Sequence, residues 1–563
     1  MTPHALDQSA DADALTAAAE RQLAAGDLHG AFAGLKAALR LTPDHPAATR
    51  AMGLFLADHG DPGAAAHLLS RAQELAGGDG PEVDRLAPAL ARLLAALWPD
   101  AWHARLDADL RACLASPAVT AQSLARVTAR TLLLKYPSFD DAVPALTAMG
   151  EDPLWLAFLT QCLNVDPEME QRLNVLRAAV WAREEAQEGG ATHTLACALG
   201  LAGFAAEYVA VPPPGAEDTT GLAAAMFRPL SPAEAAAIRD AGPLAALLVR
   251  RTVDEPALER SLGPTLERLT PPSEDTVSAE VRAQYEANPY PRWTLPPAPA
   301  PRPLRAAIEA QPGLDRRAFG DACRRVMVAG CGTGFEPIDL ARMDPTLDIT
   351  AMDLSRASLA YGARVAAGLG LDRVRFAQGD ILALDRIDAR FDVVVSTGVI
   401  HHMAEPAAGL SRLVDVLRPG GVLRLALYSD RARDLVKLAH ALIREKGWRA
   451  VPEDIRAFRA HVLALPETAP LAGLRHSDDF YSLSGCRDLV FHVHEHRYTP
   501  LGVGELIASA GLRLIGFEAP PEAAARFRET FGAADPLDLA LWDRLEQRHP
   551  TLFAGMYQFW AQS

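Results

Sequence analysis

The hydrophobic pattern divides the chain into a helical part and a part in which strands and helices alternate. Up to about residue 275, apolar positions rich in Ala and Leu recur at helical spacing, and strand signals are almost absent. From about residue 276 onward, short apolar runs alternate with helical stretches, as in a parallel α/β sheet. We therefore predict a multidomain protein in which an all-α region is followed by an α/β domain. The predicted strands are 325–329, 348–352, 373–377, 391–396, 422–428, 512–518 and 556–562, with the last two antiparallel.

The first eighty residues contain an internal repeat. Gly26-Asp27, Ala31, Leu35 and Ala38 recur 34 positions later as Gly60-Asp61, Ala65, Leu69 and Ala72. This period, with small residues where helices would cross, resembles the tetratricopeptide repeat, a pair of antiparallel helices. An ordinary helical hairpin is the alternative. We predict helical repeats over 1–80. We also predict an α-helical domain over 81–275 that supplies the stacked neighbours repeats need and acts as a scaffold or a recognition surface.

Charge and cysteine content narrow the classes of partner. The chain has 563 residues and a formal net charge of −16, which argues against nucleic acid because phosphates favour basic surfaces. The polar, acidic segment 1–19 resembles neither a signal nor a transit peptide, and no apolar stretch approaches the ~20 residues that cross a bilayer. Six scattered cysteines include no Cys-x-x-Cys pair. We expect a cytoplasmic protein that binds neither nucleic acid nor membrane.

A glycine motif marks the end of the first predicted strand. The apolar run that begins at Val326 breaks into three alternating glycines, Gly330-Cys-Gly332-Thr-Gly334, and Asp353 and Asp380 end the next two runs. A strand that leads into a glycine turn and a helix lets a ligand lie against bare backbone. The glycine spacing does not match a dinucleotide fingerprint, and Glu336 would repel a pyrophosphate at the helix start. The motif therefore favours an adenosine ligand without phosphates.

Four motifs in this order resemble those of the class I S-adenosylmethionine-dependent methyltransferases. The other two are the run from Phe391 to Met403 and Leu417-Arg-Pro-Gly-Gly421 with the apolar run after it. The resemblance implies a Rossmann-like, seven-stranded methyltransferase domain over 276–563 and S-adenosylmethionine as cofactor. Ala329 departs from the family, which often has an acidic residue there. The implied cofactor-binding residues in the strand ends and loops are Gly330, Cys331, Gly332, Gly334, Asp353, Leu354, Asp380, Ile381 and Thr397.

An aromatic segment precedes the first predicted strand. It runs from Tyr285 to Trp293 and is followed by a proline-rich stretch, so we expect a lid over 280–303. In the family this segment often folds over the cofactor, which would add Tyr285, Tyr290, Arg292 and Trp293 to the binding residues. A structural turn is the alternative. The motif Tyr-Glu-x-Asn-Pro-Tyr-Pro-Arg-Trp, in a chain that also has N-terminal repeats, resembles that of a group of bacterial repeat-containing methyltransferases.

Two groups of histidines supply the candidate chemistry. His401 and His402 follow the fourth predicted strand of the methyltransferase sheet, and either is a candidate general base or a residue that orients the cofactor loop. An insert over 430–498 contains His492, His494 and His496, which fall on one face at strand period. We favour a substrate-pocket wall over a metal site or a structural strand, and predict no metal. The catalytic candidates are His401, His402, His494 and His496, and Asp478, Asp479, Tyr481 and Arg487 are candidates to line the same pocket.

These predictions converge on methyl transfer but leave the acceptor open. We expect a methyltransferase whose helical repeats engage a peptide or protein substrate. The alternatives are a methyltransferase for a small molecule or glycan, with the helical region serving for homo-oligomerisation or partner binding, and a non-catalytic scaffold that binds the cofactor. The sequence does not distinguish nitrogen, oxygen, carbon and sulfur as the methylated atom.

Overall fold

The computed structural model describes residues 3–77, 80–137, 143–183, 191–216, 219–271, 275–294, 297, 299–321, 323–492 and 494–563. Contacts divide the chain into two compact units, Met1–Val249 and Arg250–Ser563. Residues 250–271 thus belong with the α/β part, although the sequence placed the boundary after residue 275. The expected division at residue 80 stays a prediction. None of the helices in the described ranges has the length and apolar character needed to cross a membrane.

Helices build the first unit. Asp27 and Asp61, at equivalent repeat positions, cap the second and fourth helices by accepting the N–H of Gly30 at 2.9 Å and of Ala64 at 2.6 Å. The apolar repeat positions 31, 35, 38, 65, 69 and 72 are all buried, as expected if each helix presents the same face to its neighbours. The helices are α1 Pro3–Ala24, α2 Leu28–Leu41, α3 Pro46–His59, α4 Pro62–Leu75, α5 Pro81–Ala95, α6 Ala104–Ala115, α7 Ala125–Lys135, α8 Val143–Glu151, α9 Pro153–Gln161, α10 Pro167–Trp181, α11 Ala191–Ala205, α12 Pro232–Ile238 and α13 Pro243–Val249.

The second unit contains a mixed sheet of eight described strands in the order β1-β4-β3-β2-β5-β6-β8-β7. All neighbours are parallel except the β6–β8 and β8–β7 pairs. The prediction of seven strands missed β1, because its two exposed residues, Glu and Arg, carry no hydrophobic signal. The strands are β1 Glu267–Arg268, β2 Arg325–Ala329, β3 Asp348–Asp353, β4 Val374–Gln378, β5 Phe391–Thr397, β6 Leu417–Leu427, β7 Arg513–Glu518 and β8 Tyr557–Gln562.

Helices cover both faces of this sheet. Successive residues of β2 point to opposite sides, so that Val326 and Val328 belong to one hydrophobic core and Met327 and Ala329 to the other. This double burial explains why the central strands read as continuous apolar runs. The helices of the second unit are α14 Glu255–Leu262, α15 Thr276–Ala287, α16 Leu304–Glu309, α17 Arg316–Phe319, α18 Phe335–Met343, α19 Arg356–Gly368, α20 Pro406–Asp415, α21 Asp434–Lys446, α22 Pro452–Leu463, α23 Leu483–Val490, α24 Pro500–Ser509, α25 Pro521–Phe531 and α26 Leu539–Arg548.

The insert between β6 and α24 is mainly helical and consists of α21, α22, two short 3₁₀ helices, α23 and an extended end. The expected histidine strand is absent from the described residues of 491–498, which join no named strand. One bridge from Tyr498 to Ser429 holds this end of the insert. The polar side chains of the segment make side-chain contacts instead of extending a strand ladder, and its alternating pattern was misleading for that reason.

Candidate active site

A cavity of about 490 Å³ lies where the parallel strands β2, β3, β4 and β5 end. Loops after the carboxyl ends of parallel strands meet at one edge of the sheet, which is where α/β folds bind ligands. Two sides of the cavity are built differently. We call the residues on the strand ends and the loops after them the strand wall, and the residues at 428, 433, 479, 488 and 489 the insert wall. Predicted residues that line the cavity are Tyr285, Tyr290, Gly330, Cys331, Gly332, Asp353, Leu354, Asp380, Ile381, Thr397 and His402.

The glycine loop forms the centre of the strand wall. Gly330 has φ +76°, and a Cβ there would lie 2.4 Å from a methyl of Val399. The N–H of Gly332 donates to Oδ2 of Asp353 at 2.8 Å, and the N–H of Ser355 donates to its Oδ1 at 2.9 Å. Desolvation raises the pKa of Asp353 despite these bonds. The loop and the carboxylate at the end of β3 are thus one hydrogen-bonded structure.

Gly334 has a packing role instead of the predicted ligand contact, and it is outside the cavity lining within the described residues. It precedes α18 with φ +84°, and a Cβ would lie 2.9 Å from the ring of Phe376 and 3.0 Å from Cα of Gly362. The third glycine of the motif therefore lets α18 and α19 approach each other closely.

Asp380 supplies the second carboxylate of the strand wall. It follows β4 and caps a short 3₁₀ helix, where its Oδ1 accepts the N–H of Leu382 at 2.9 Å. Its backbone N–H donates to the hydroxyl of Thr270 at 2.7 Å. Thr270 lies just after β1, so the strand that the sequence did not reveal helps to fix this carboxylate.

Glu336 adds a carboxylate that the sequence did not assign to binding. It lines the cavity, whereas Ala329 is fully buried. Arg424 donates to its Oε1 at 2.9 Å, and the hydroxyl of Thr397 donates to the same atom at 3.3 Å. Desolvation raises the pKa of Glu336. The acidic group missing at 329 thus has a counterpart in the first turn of α18, at a position that the glycine motif does not specify.

Two tyrosines connect the lid segment to the insert wall. The hydroxyl of Tyr285 donates to Oδ1 of Asp488 at 2.5 Å, and that of Tyr290 donates to Oδ1 of Asp479 at 2.6 Å. The lid backbone also runs close to the glycine loop, since a Cβ on Gly332 would lie 3.1 Å from the carbonyl oxygen of Tyr290. The lid residues that the structure describes therefore form one border of the cavity. Residues 295, 296 and 298 of the expected lid lie outside the described residues.

Arg292 and Trp293 do not line the cavity in the part of the chain that the structure describes, contrary to the prediction. The indole N–H of Trp293 donates to the hydroxyl of Thr333 at 3.0 Å, and its ring packs edge-on against Tyr361 and Phe335. Arg292 is exposed, and its charge acts on Glu259. After Pro291 the chain passes over α18 and α19, which takes both side chains away from the ligand space.

Of the four histidines predicted to be catalytic, His402 alone belongs to the described cavity lining. His401 is buried beside it, with their Nε2 atoms 3.1 Å apart. His494 and His496 contact each other at 2.9 Å through Nε2. The backbone explains the difference: the carbonyl of His494 accepts from Nδ1 of His402 at 2.7 Å, so the insert supports His402 through a peptide group, while the imidazoles of His494 and His496 contact each other.

His402 is neutral at physiological pH. Burial lowers its pKa to about 4, and it lowers the pKa of His492 to about 4 as well. The two rings stack with centroids 3.6 Å apart. Because Nδ1 of His402 donates to a carbonyl, its proton is on Nδ1, and Nε2 receives the N–H of His401. A neutral imidazole held on both nitrogens suits a positioning role.

His402, Asp488 and His492 bring one ligand atom each within 4.8 Å of one another, a grouping that the sequence did not reveal. Their hydrogen bonds do not fit a metal. Nε2 of His402 faces His401, and Nδ1 of His492 accepts the N–H of His494 at 3.2 Å. An imidazole that binds a metal through Nε2 needs its proton on Nδ1, which donates to a second group. His402 meets this condition, but its Nε2 is already bonded to His401, and His492 does not meet it.

The insert wall consists of Tyr428, Arg433, Asp479, Asp488 and Leu489. Arg433 forms an ion pair with the buried Glu495, and its guanidinium carbon lies 3.9 Å above the centre of the Tyr428 ring. Desolvation raises the pKa of Asp479 to about 6 and also raises that of Asp488. Of the pocket candidates taken from 478–487, Asp479 lines the cavity. The described lining does not include Asp478, Tyr481 or Arg487.

Comparisons with known proteins support a methyltransferase domain. Residues 322–457 match a family model described as a methyltransferase domain. An uncharacterised protein of Synechococcus sp. is 28% identical over 266 residues, which are 43% of this chain and 60% of that protein. An uncharacterised methyltransferase of Mycobacterium bovis is 31% identical over 128 residues, 23% of this chain and 61% of that protein. The chain thus spans about three fifths of the length of these relatives.

The similarity to solved structures is weaker. PKMT2 from Rickettsia typhi, in complex with AdoHcy, aligns over 42% of this chain and 48% of its own, with 16% identity and a TM-score of 0.33. A likeness at this level supports no inference about ligand or substrate. The segment matched by the family model includes β2 to β6, and it therefore contains most of the strand wall.

Proposed function

We propose that the chain is an S-adenosylmethionine-dependent methyltransferase that binds its cofactor against the strand wall. The observation that carries this proposal is the bond from the N–H of Gly332 to Asp353, which joins the glycine loop to a carboxylate beside the cavity. Bare backbone at Gly330 and Gly332 leaves room for a methionine moiety, and a Cβ at 330 would not fit. When bound, S-adenosylmethionine supplies a methyl group on a positively charged sulfur.

The residues of the strand wall suit the parts of this cofactor. In this proposal the carboxylate of Asp353 accepts from ribose hydroxyls, and that of Asp380, at the end of the neighbouring strand, accepts from the adenine amino group. Glu336 takes the role of the acidic residue that is absent at 329 and accepts from the cofactor's ammonium group. Its contacts with Arg424 and Thr397 hold the carboxylate at the cavity surface.

The lid and His402 position the reactants. Tyr285, Tyr290 and Pro291 border the cavity, which limits access of water to the sulfonium. His402 is a positioning residue and not a general base, because an imidazole with a pKa near 4 that is bonded on both nitrogens takes up protons poorly at neutral pH. Methyl transfer gains most from such alignment, since effective molarities can lower the barrier by several kcal/mol, about 7 or more in favourable cases.

The acceptor is proposed to be a peptide or protein that the helical unit engages. Support comes from the repeated helices α1–α4, whose capping and burial recur at equivalent positions, and from an exposed Trp98 on the same unit, 61% accessible. We assign these helices to tetratricopeptide-like repeats. A small molecule or glycan acceptor is the second candidate, since the cavity itself can hold a small substrate beside the cofactor.

A transfer assay tests the activity and the acceptor size together. The protein is incubated with cofactor carrying a labelled methyl group and a bacterial cell extract, and the products are separated by size. The proposal predicts label in material of protein size. Label confined to small molecules supports the second candidate. If the protein binds the cofactor in a calorimeter and no label moves, the chain is a cofactor-binding scaffold.

A further inference from the structure

Two carboxylates of the insert wall are only half satisfied. Asp479 and Asp488 each accept one hydrogen bond from a lid tyrosine through Oδ1, and both line the cavity. Within the described ranges, no further hydrogen bond or ion pair reaches either carboxylate. A carboxylate has about four lone-pair sites, so each can accept more from a bound molecule.

The charges around these carboxylates do not balance. Arg433 is the nearby cation, and it is committed to Glu495, which also receives Arg497 at 3.3 Å. Burial keeps His402 and His492 neutral, so neither offsets the acids. A buried carboxylate without a counter-charge is costly unless a ligand supplies one. Arg433 is paired with Glu495, and Arg497 is shared between Glu495 and Asp430, so neither arginine forms an ion pair with Asp479 or Asp488, and a cationic group of a bound molecule would offset their charge.

A third polar group beside them is also unsatisfied. Nε2 of His492 has no hydrogen-bond partner in the described structure, and the residue is only 9% exposed. One ring nitrogen of His492 lies within 4.8 Å of a carboxylate oxygen of Asp488. Because Nδ1 of His492 accepts the N–H of His494, the neutral ring carries its proton on Nε2, so His492 adds a donor and no positive charge beside the carboxylates.

Aromatic rings surround the same space. Tyr285, Tyr290 and Tyr428 all line the cavity, and ring faces attract cations. Tyr428 already carries the guanidinium of Arg433 on one face. Burial raises the pKa values of these three phenols, so they remain neutral donors and add no charge of their own.

We propose that Asp479 and Asp488 bind the amino group that receives the methyl, so the acceptor is a primary amine that arrives as an ammonium ion. The proposal rests on the function proposed above and names the acceptor chemistry of that cavity. A divalent cation is disfavoured because Nε2 of His402 is already bonded to His401, and because Nδ1 of His492 accepts the N–H of His494, which leaves the proton of His492 on Nε2.

The reaction balances with these groups alone. The ammonium gives one proton to a carboxylate of the pair, whose raised pKa suits it to hold that proton. The freed nitrogen lone pair forms the new N–C bond as the methyl–sulfur bond breaks, and the sulfur keeps the electron pair. The product is a methylated ammonium, and the carboxylate releases its proton to water.

The test blocks one functional group at a time in a cell extract. One portion is acetylated at its primary amines, a second is alkylated at its thiols, and both are incubated with the protein and labelled cofactor. We expect acetylation to reduce incorporation at least tenfold and thiol alkylation to leave it unchanged. Incorporation that survives acetylation overturns the amine proposal and leaves the methyltransferase proposal intact.

Variants localise the effect. Asp488→Asn and Asp479→Asn keep the side-chain shape and remove the charge, and each should lower kcat/KM for the amine acceptor about 10- to 100-fold. Cofactor affinity, measured by calorimetry, should stay within about twofold, because the strand wall is untouched. Asp478→Asn is the matched control, since Asp478 is exposed and outside the described cavity lining. Wild-type turnover in both test variants contradicts the proposal.

Metal analysis tests the remaining alternative, in which a divalent cation binds the two carboxylates. The purified protein is expected to contain well under one equivalent of divalent metal, with no change in Asp488→Asn. If the wild-type protein contains one equivalent of metal and this variant loses it, Asp488 binds a metal ion and the amine proposal is wrong. Failure of the wild-type protein to bind the cofactor is a separate result, and it would contradict the proposed function itself.

Discussion

The strand wall and the insert wall enclose one cavity, but they are built in different ways. The strand wall relies on backbone: Gly330 and Gly332 offer bare peptide groups, and Asp353 is fixed by the N–H groups of Gly332 and Ser355. The insert wall relies on side chains whose partners lie far along the chain, with Tyr285 and Asp488 separated by 203 positions. In the proposed function the first wall binds the cofactor and the second binds the acceptor.

The largest effect is expected at the backbone of the strand wall. Gly330→Ala adds a Cβ that would lie 2.4 Å from Val399 at a positive φ. The loop must move, at a cost of about 3 kcal/mol, so cofactor affinity should fall roughly 100-fold in calorimetry. Gly447→Ala is the control, because Gly447 also has a positive φ but has no neighbour within 4 Å of an added Cβ. Cofactor affinity within about threefold of wild type would show that the loop does not carry the site.

The next largest effect is expected in the pH dependence, which should involve the insert wall and leave the strand wall unaffected. Asp479 has a pKa of about 6, set mainly by desolvation, and Tyr290, Asp478, Asp488 and Arg433 surround it. It is charged above that pH and protonated below it, so kcat/KM for an amine acceptor should fall about tenfold per unit as the pH drops below 6. Cofactor affinity should not change with the titration of Asp479.

Removing the neighbouring charge should move that titration. Asp488 raises the pKa of Asp479, so in Asp488→Asn the inflection in kcat/KM should shift to lower pH. A pH profile that is flat from about 5 to 7 in the wild type, or an inflection unmoved in the variant, would be inconsistent with a coupled carboxylate pair.

A smaller effect distinguishes two roles for the lid. Tyr285→Phe and Tyr290→Phe keep the rings and remove the hydroxyls that bind Asp488 and Asp479. Each should cost about 1 kcal/mol, or roughly fivefold in kcat/KM for the acceptor, with cofactor affinity unchanged. Weaker cofactor binding instead would show that these hydroxyls also act on the cofactor. Tyr361→Phe, whose hydroxyl binds the carbonyl of Trp293, serves as the control.

The smallest effect is expected at Arg292. This residue is exposed and outside the described cavity lining, so Arg292→Ala should change cofactor affinity by less than about twofold. A tenfold loss would restore the lid role that the sequence assigned to it.

The difference between the strand wall and the insert wall also explains which features could be predicted from the sequence. The cavity positions of Gly330, Gly332, Asp353 and Asp380 could be predicted because each lies at the end of an apolar run, where hydrophobic period and turn chemistry coincide, and their cofactor contacts stay a prediction. Seven strands were placed for the same reason. The strand β1 and the anchoring of Asp380 by Thr270 were missed, because two exposed charged residues leave no hydrophobic signal.

The insert wall was harder to predict because no local pattern specifies it. The alternating histidines suggested a strand and a row of catalytic side chains, whereas the structure uses the peptide carbonyl of His494 to hold His402. Asp488 lies in α23, in a stretch with no recognisable motif, and its cavity position and its bond to Tyr285 of the lid arise from the tertiary fold. Pairings of this kind depend on tertiary structure.

Titration calorimetry with S-adenosylmethionine tests the central claim most directly. Asp353 and Asp348 stand at opposite ends of β3, one beside the cavity and the other exposed and paired with Arg324 and Arg373. The wild type and Asp348→Ala should bind the cofactor alike, and Asp353→Ala should bind about 10- to 100-fold more weakly, since it loses charge-assisted hydrogen bonds worth roughly 1.5–3 kcal/mol. Equal affinity in all three proteins would contradict the assignment of the strand wall as the cofactor site.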